Sequence, residues 1–411
     1  MTGPHVTGPA VTGANGAGLG PSPLLGLPGV VGVEDGPDAG LPLHHGDPQA
    51  EQRAMDRSAG VVDRSNREVI AVPGEDRLSW LHLLLTQHVS ELPAGAGTEA
   101  LVLDVNGRVE FHSVLSHVAD TVWLDVEPGT SAGLLEYLEK MRFWSKVEPR
   151  SASAELAVLS VVGPATADVL ARAGVPVPGE LYGSAALPGE GGGLVRRMPG
   201  LAELAPAPVA ALDSAHTPAH TPAHTPAAAD LLVPRAELVD WWTRLRSAGA
   251  AAAGAMAYEA LRVGAMRPRL GLDTDERTIP HEVGWIGSAV HLTKGCYRGQ
   301  ETVARVANLG RPPRKLVLLH LDAGDEELPE PGDPVTLGGR VVGRVGTAVL
   351  HHELGGVALA LVKRSVPVDA ELVAGDGQRA APARIDPDSM PPEDGAPPPG
   401  RRAQLRLGRP R

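Results

Sequence analysis

The single cysteine of this 411-residue chain lies in Lys294-Gly295-Cys296-Tyr297-Arg298-Gly299-Gln300-Glu301. A cysteine acts as its thiolate, and a neighbouring cation lowers the thiol pKa. The chain has only five lysines, and one stands two places before this cysteine. In an extended segment, residues two apart share a face. Lys294 is therefore expected to stabilise the thiolate of Cys296, and these two are the candidate catalytic residues. Gly295 and Gly299 permit turns or close backbone approach to a ligand. Gln300 brings donors and acceptors and Glu301 an acceptor, a set suited to a heteroaromatic with amide-like edges. From Gly287 to Lys315 there are six cations against one acid, and a local positive field attracts an anionic partner. An inert small thiol beside a solvated arginine face would show the same spacing.

A second cluster is Leu261-Arg262-Val263-Gly264-Ala265-Met266-Arg267-Pro268-Arg269, followed by Asp273, Asp275 and Glu282. Arg262 and Glu282 are candidates for an ion pair or for polar ligand contacts. Ala-His-Thr-Pro repeats three times from Ala215 to Pro226, with His216, His220 and His224 four apart. Proline at every fourth place forbids the helix that would gather them. The stretch reads as a surface insertion over about 206–229, and no metal site is assigned. His351-His352-Glu353 reads as a polar turn between strands. No Gly-x-Ser-x-Gly, His-Glu-x-x-His or Cys-x-x-Cys is present. One thiol forms no intramolecular disulfide and supplies no all-cysteine cluster site.

The elements that must position these residues follow from periodicity. Val69–Val72, Ala100–Val105, Thr121–Val126 and Ala157–Val162 read as strands, the third alternating at Val122, Leu124 and Val126. Arg77–Val89, Ala132–Arg142 and Pro234–Arg246 read as helices; the last carries Leu238, Trp241, Trp242 and Leu245 as an apolar stripe. From Pro313 onward short strands alternate with Gly, Pro and Asp, including a Gly338-Gly339 hairpin turn. The body is thus α+β followed by a small β-barrel over 313–385. Residues 1–50 hold 12 Gly and 8 Pro and read as a disordered arm. The tail 386–411 reads as disordered and basic.

A net charge of −12 argues against a nucleic-acid coat or a polybasic membrane binder. No apolar run approaches the ~18 residues of a membrane span. The first fifty residues hold no Lys or Arg, so the charged start of a secretory signal is missing. The expectation is a soluble, cytoplasmic protein.

The octet Lys294–Glu301 resembles the signature of the YgfZ-type folate-binding proteins, a branch of the glycine-cleavage T-protein superfamily. The resemblance runs from about Arg57 to Ile385. It includes Val72-Pro73-Gly74-Glu75-Asp76, Val162-Gly163-Pro164, Ile279-Pro280-His281-Glu282, Val303-Ala304-Arg305, Gly332-Asp333-Pro334-Val335 and Gly343-Arg344-Val345-Gly346. It implies a three-lobed ring, with two α+β lobes over 57–312 and the C-terminal barrel, around a tetrahydrofolate site. On that basis Arg262, Tyr297, Gly299, Gln300 and Glu301 are the expected folate contacts. The implied role is an accessory in iron–sulfur cluster assembly or repair, with clients that include tRNA-modifying enzymes. The alternative is a folate-dependent aminomethyl transferase or demethylase. T-proteins resemble one another at Gly-Gly-x-x-Asp-Asp, where an Asp serves the folate chemistry. Here Asn106-Gly107-Arg108-Val109-Glu110-Phe111-His112 stands in that place, with Phe111 and His112 at the acid positions.

Overall fold

A computed structural model describes residues 18–189, 191–201, 227–309, 311–322 and 327–390. The chain starts with β1 (Val31–Gly32), β2 (Pro42–His44), α1 (Pro48–Arg57) and β3 (Gly60–Asp63). It then builds a complete second lobe from β4 (Glu68–Pro73), α2 (Arg77–Leu84), β5 (Gly97–Leu103), β6 (Val109–Val118), β7 (Thr121–Val126), α3 (Ser131–Lys140) and β8 (Arg150–Ser151). It returns to the first lobe with β9 (Leu156–Val162), α4 (Thr166–Arg172), β10 (Ser184–Ala186), β11 (Leu194–Arg197), β12 (Ala228–Pro234), α5 (Leu238–Ser247) and β13 (Ala251–Ala253). A linker with α6 (Ala255–Gly264) and α7 (Gln300–Leu309) leads to β14 (Arg314–Leu321), β15 (Pro334–Leu337), β16 (Arg340–His351), β17 (Gly355–Lys363), β18 (Leu372–Ala374) and β19 (Ala381–Ile385).

The first-lobe sheet has the order β10-β11-β12-β9-β3-β13, and the second β5-β6-β7-β4-β8. Strand β3 pairs antiparallel with β9 and parallel with β13, so the second lobe is an insertion within the first. β9 is buried at every position, as a continuous apolar run in a sheet covered on both faces requires. In β7 the alternating Val122, Leu124 and Val126 are buried, as the period-two pattern demands. The stripe on α5 packs under the first-lobe sheet with Val61, Leu159 and Val233. The last six strands close in the order β14-β17-β16-β15-β18-β19. Alternation separates their two faces: Val317, Leu319, Ala358, Ala360 and Val362 share one cluster. Leu316, Leu318, Leu359 and Leu361 join the linker's Ala260, Val263 and Trp285 in another. The α+β ring with its terminal barrel is the fold the sequence implied.

Four expectations need correction. The arm is folded from residue 18, and only 1–17 lie outside the described residues. Leu24 enters the first-lobe core, Ser22 bonds Asp63, and Asp38 bonds Asn66 at 2.7 Å. A few anchors order this segment despite its glycine content, because the turns between anchors need little side-chain burial. At the other end the packed chain runs beyond Ile385. Asp386 lies 3.0 Å from His320 Nε2, and Ser389 is buried; residues 391–411 lie outside the described residues. The His-Thr-Pro repeats also lie outside them, but Ala228 and Ala229 belong to β12, so the insertion ends before 229. Helix α2 stops at Leu84 rather than Val89, for a reason given below.

Candidate functional site

The octet is a turn followed by the first turn of α7, not an extended strand. The shared face that an extended segment would give Lys294 and Cys296 is therefore not formed. Lys294 is 5% exposed, and its ammonium donates to the carbonyls of His82 and of Leu85, the latter at 2.5 Å. These carbonyls close the last turn of α2, where no intrahelical donor remains. A cation there also opposes the negative end of the helix dipole. Lys294 thus caps α2 from across the fold and fixes its early end. Burial lowers its pKa to about 8. Cys296 is exposed. What the geometry corrects is the extended segment on which the expected tuning of this thiol by Lys294 was argued.

The other octet residues are mostly joinery. Tyr297 is buried, its ring lies 5.1 Å from the Lys294 ammonium, and its hydroxyl is buried without a partner. Gly299 has φ +82°, and a Cβ there would lie 2.5 Å from the Asp104 carbonyl oxygen and 2.9 Å from Gly107 Cα. Only glycine lets the β5–β6 turn lie this close. Arg298 donates to the Leu103 carbonyl, pairs with Glu110 and lies 5.0 Å over the Tyr137 ring. Gln300 donates to the Lys294 carbonyl at 3.3 Å. Glu301 is exposed and pairs with Arg305 at 2.9 Å.

Arg262 is buried and does not meet Glu282. It pairs with Glu259 at 2.6 Å and Asp273 at 2.8 Å, and donates to Thr347 Oγ at 2.6 Å. Glu282 pairs instead with Arg314 at 2.8 Å. The register of β16 shifts between Val345 and Ala348, and this bulge brings the Thr347 amide within 2.7 Å of Asp273. Arg262 therefore fastens the linker helix to the barrel.

It is one end of a longer buried chain of charges. Arg269 reaches Glu259 at 3.1 Å, Glu127 at 2.9 Å and Asp38 at 2.7 Å. Arg67 joins Glu127 and Asp125, each at 2.5 Å. Arg196 then links Asp125 to Asp230, the latter at 2.7 Å. The chain passes from the barrel through the N-terminal segment and both lobes. Burial alone would raise the carboxyl pKa of Glu127, but the guanidiniums of Arg269 and Arg67 hold it well below the usual range.

A second polar cluster, not foreseen as a unit from the sequence, lies where the two lobes meet the linker. Glu99 on β5 accepts from the Tyr182 hydroxyl at 2.5 Å and lies 3.4 Å from His112 Nε2 on β6. The His112 ring stacks on Trp285 at 4.9 Å and 18°. Burial would raise the Glu99 carboxyl, but His112, Tyr182 and the charge of Arg267 bring it down to about 2. Two residues here hold left-handed backbone, Tyr182 at φ +58° and Met266, before Arg267, at φ +55°. Such strain in non-glycine residues gathers at ligand clamps and functional sites. Arg267 Nε and both ring nitrogens of His281, on the same linker, are buried without a hydrogen-bond partner. Burial keeps His281 neutral, with a pKa near about 4. Unmet buried donors and acceptors are costly. A carboxylate, a guanidinium, an imidazole and an indole face meet here, a set suited to a flat heterocycle with mixed polar edges. Arg267 was visible in the second sequence cluster and His112 at the acid position; Glu99 and Tyr182 carried no local signal.

Residues 43–176 match the GCVT N-terminal domain family, and 314–392 match the CAF17 C-terminal beta-barrel domain family. An aminomethyltransferase of Rubrobacter xylanophilus is 30% identical over 84% of this chain and 87% of its own length. A chloroplastic putative transferase of Arabidopsis thaliana is 26% identical over 71% of this chain. An aminomethyltransferase of Nitrosococcus oceani is 29% identical over 60%. The chain spans 62% of the length of each of these last two relatives. The crystal structure of glycine cleavage system aminomethyltransferase T from Bartonella henselae superposes with a TM-score of 0.70 at 18% identity, covering 86% of this chain and 92% of that one. With the T-protein lobes in front and a CAF17-type barrel behind, the chain belongs to the YgfZ/CAF17 branch of the aminomethyltransferase (GcvT) superfamily.

Proposed function

We propose that this protein binds tetrahydrofolate at the junction of Glu99, His112, Arg267, His281 and Trp285. We further propose that it serves in the cytoplasm as an accessory in iron–sulfur cluster assembly or repair, including for tRNA-modifying enzymes. The observation that carries the folate reading is the Arg267 Nε, buried without a partner near Glu99, whose neighbour His112 stacks on Trp285. A pterin edge offers alternating donors and acceptors, which Arg267, His281 and Glu99 complement. The exposed Arg305 and Arg311 supply positive charge for a glutamate tail. Of the octet, Tyr297 retains an unsatisfied hydroxyl for a ligand. When bound, the folate supplies nitrogens that carry one-carbon units. The exposed Cys296 thiol is available to a client protein. Among the described residues no helix is long and apolar enough to cross a membrane.

The accessory reading is favoured over a transferase by the residues at the T-protein acid positions. Phe111 packs against Gly133, His112 is held by Glu99, and the adjacent Glu110 is taken by Arg298. None of these is a carboxylate poised for proton transfer at a folate nitrogen. The transferase is the second reading, because the relatives above carry that name.

Anaerobic calorimetry with tetrahydrofolate tests the site. Micromolar binding, weakened at least tenfold in Arg267→Met, is expected; no binding by the native chain removes the folate reading. Methylene-tetrahydrofolate formation from an aminomethyl carrier or an N-methyl donor separates the two readings, since turnover would replace the accessory role with the enzyme. Failure of Cys296→Ser to restore a cluster-dependent tRNA modification in a deletion strain is expected for a thiol that meets clients.

A further inference from the structure

We propose that Asp56, His352 and Glu353 form a binding site for a first-row divalent transition ion of the zinc class, at the joint between the first lobe and the barrel. Asp56 stands in the last turn of α1, and His352 and Glu353 stand in the turn between β16 and β17. One donor atom from each lies within 4.8 Å of the others. The His352 side chain is 2% exposed, yet its Nε2 is buried with no hydrogen-bond partner. That nitrogen points toward Asp56 Oδ2 across 3.9 Å, too far for a hydrogen bond. Two ligands about 2.1 Å from one tetrahedral ion stand about 3.4 Å apart, so a small side-chain rotation closes the site.

The surroundings hold these groups in place. Gln52 of α1 accepts from the His352 amide at 2.8 Å and donates to the Leu350 carbonyl at 3.0 Å, which locks the turn onto the helix. His351 stacks on His352 at 4.9 Å. Its Nδ1 accepts from the Glu353 and Leu354 amides at 3.1 and 3.2 Å, so it shapes the turn. Arg57 lies 3.8 Å from Glu353, both side chains more than half exposed, a loose pair that a dication displaces easily. Two carboxylates with a neutral imidazole balance a 2+ charge. A nitrogen ligand favours zinc-class ions over calcium or magnesium, which take oxygen donors. Three protein ligands leave a coordination position for water. The ion would tie α1 to the barrel turn.

The test uses the full chain stripped with a chelator, with His216, His220 and His224 changed to Ala so that the repeats cannot contribute. Zinc is titrated in competition with a chromophoric chelator, and the Tm is followed with and without zinc. The expected result is one equivalent bound at micromolar Kd or tighter and a Tm raised by zinc. Affinity falls at least tenfold in His352→Gln and in Glu353→Gln, and the Tm gain is lost with it. Glu353 is exposed, so its variant folds as the parent does and keeps the test clear of misfolding. No zinc bound by the parent, or zinc bound with parental affinity by Glu353→Gln and by folded His352→Gln, overturns the proposal.

Discussion

Around Lys294 the lobes are joined through backbone. Two helix-end carbonyls take an ammonium, and Gly299 lets the Asp104–Gly107 turn lie at contact distance. Between the two lobes, the N-terminal segment and the barrel the joint is made mainly by charged side chains, with Arg196, Arg67, Arg269 and Arg262 alternating with six carboxylates. A backbone joint depends on shape and leaves its outward side chains exposed for other work, as Cys296 is. A charge joint tolerates small changes of shape, but the loss of one partner strands the others in a poor dielectric.

The two joints therefore break differently. Arg269→Met leaves Asp38 without its cation and takes one of two cations from Glu127 and from Glu259, and a loss of about 3–5 kcal/mol is expected by urea unfolding. Faster hydrogen exchange at residues 18–46 should accompany it, since Asp38 is the anchor. A loss under about 1 kcal/mol would erase the distinction drawn here. Next in size is acid. Glu99 is held at about 2 against an ordinary 4.5, so its folded pKa is depressed. Its contribution is fully present above pH 4.5 and is lost as pH falls toward 2, worth about 3 kcal/mol in all. Glu99→Gln should flatten stability over that window.

At the octet, Gly299→Ala forces a Cβ into the Asp104 carbonyl and should cost about 1–3 kcal/mol. Lys294→Met leaves two helix-end carbonyls unmet and should cost about 1–2 kcal/mol. The decisive readout for that variant is the rate at which Cys296 reacts with a disulfide reagent. It should stay within about twofold, because the Lys294 ammonium is engaged by the α2 carbonyls while Cys296 is exposed; a tenfold fall would restore the pairing of the two, since a neighbouring cation is what activates a thiol. The smallest effect is expected at Glu301→Ala, under about 0.5 kcal/mol for an exposed pair.

Much of the fold was legible because periodicity reports burial. The alternation of Val122, Leu124 and Val126 and the unbroken apolar run of β9 each fixed a strand. The octet was legible as special because rare residue types crowd within it. Its orientation was not, since whether residues 292–299 extend or turn depends on the helix end and the β5–β6 turn against which they dock. The central charges were illegible for another reason. Asp38, Arg67, Asp125, Arg196, Asp230 and Arg269 are far apart in sequence, and each alone resembles a solvated surface charge. The arm was misread because composition counts apolar area and not anchors such as Leu24 and Asp38.

The placement of β3 has a consequence for synthesis. Its partners β9 and β13 begin at Leu156 and Ala251, so β3 leaves the ribosome long before either. At about 5–20 residues per second, the wait for β9 alone is on the order of 5–20 s. The second lobe, whose strands pair only with one another, is complete in that interval. The first lobe thus closes around a neighbour already made, and the newborn β3 edge must stay soluble until then.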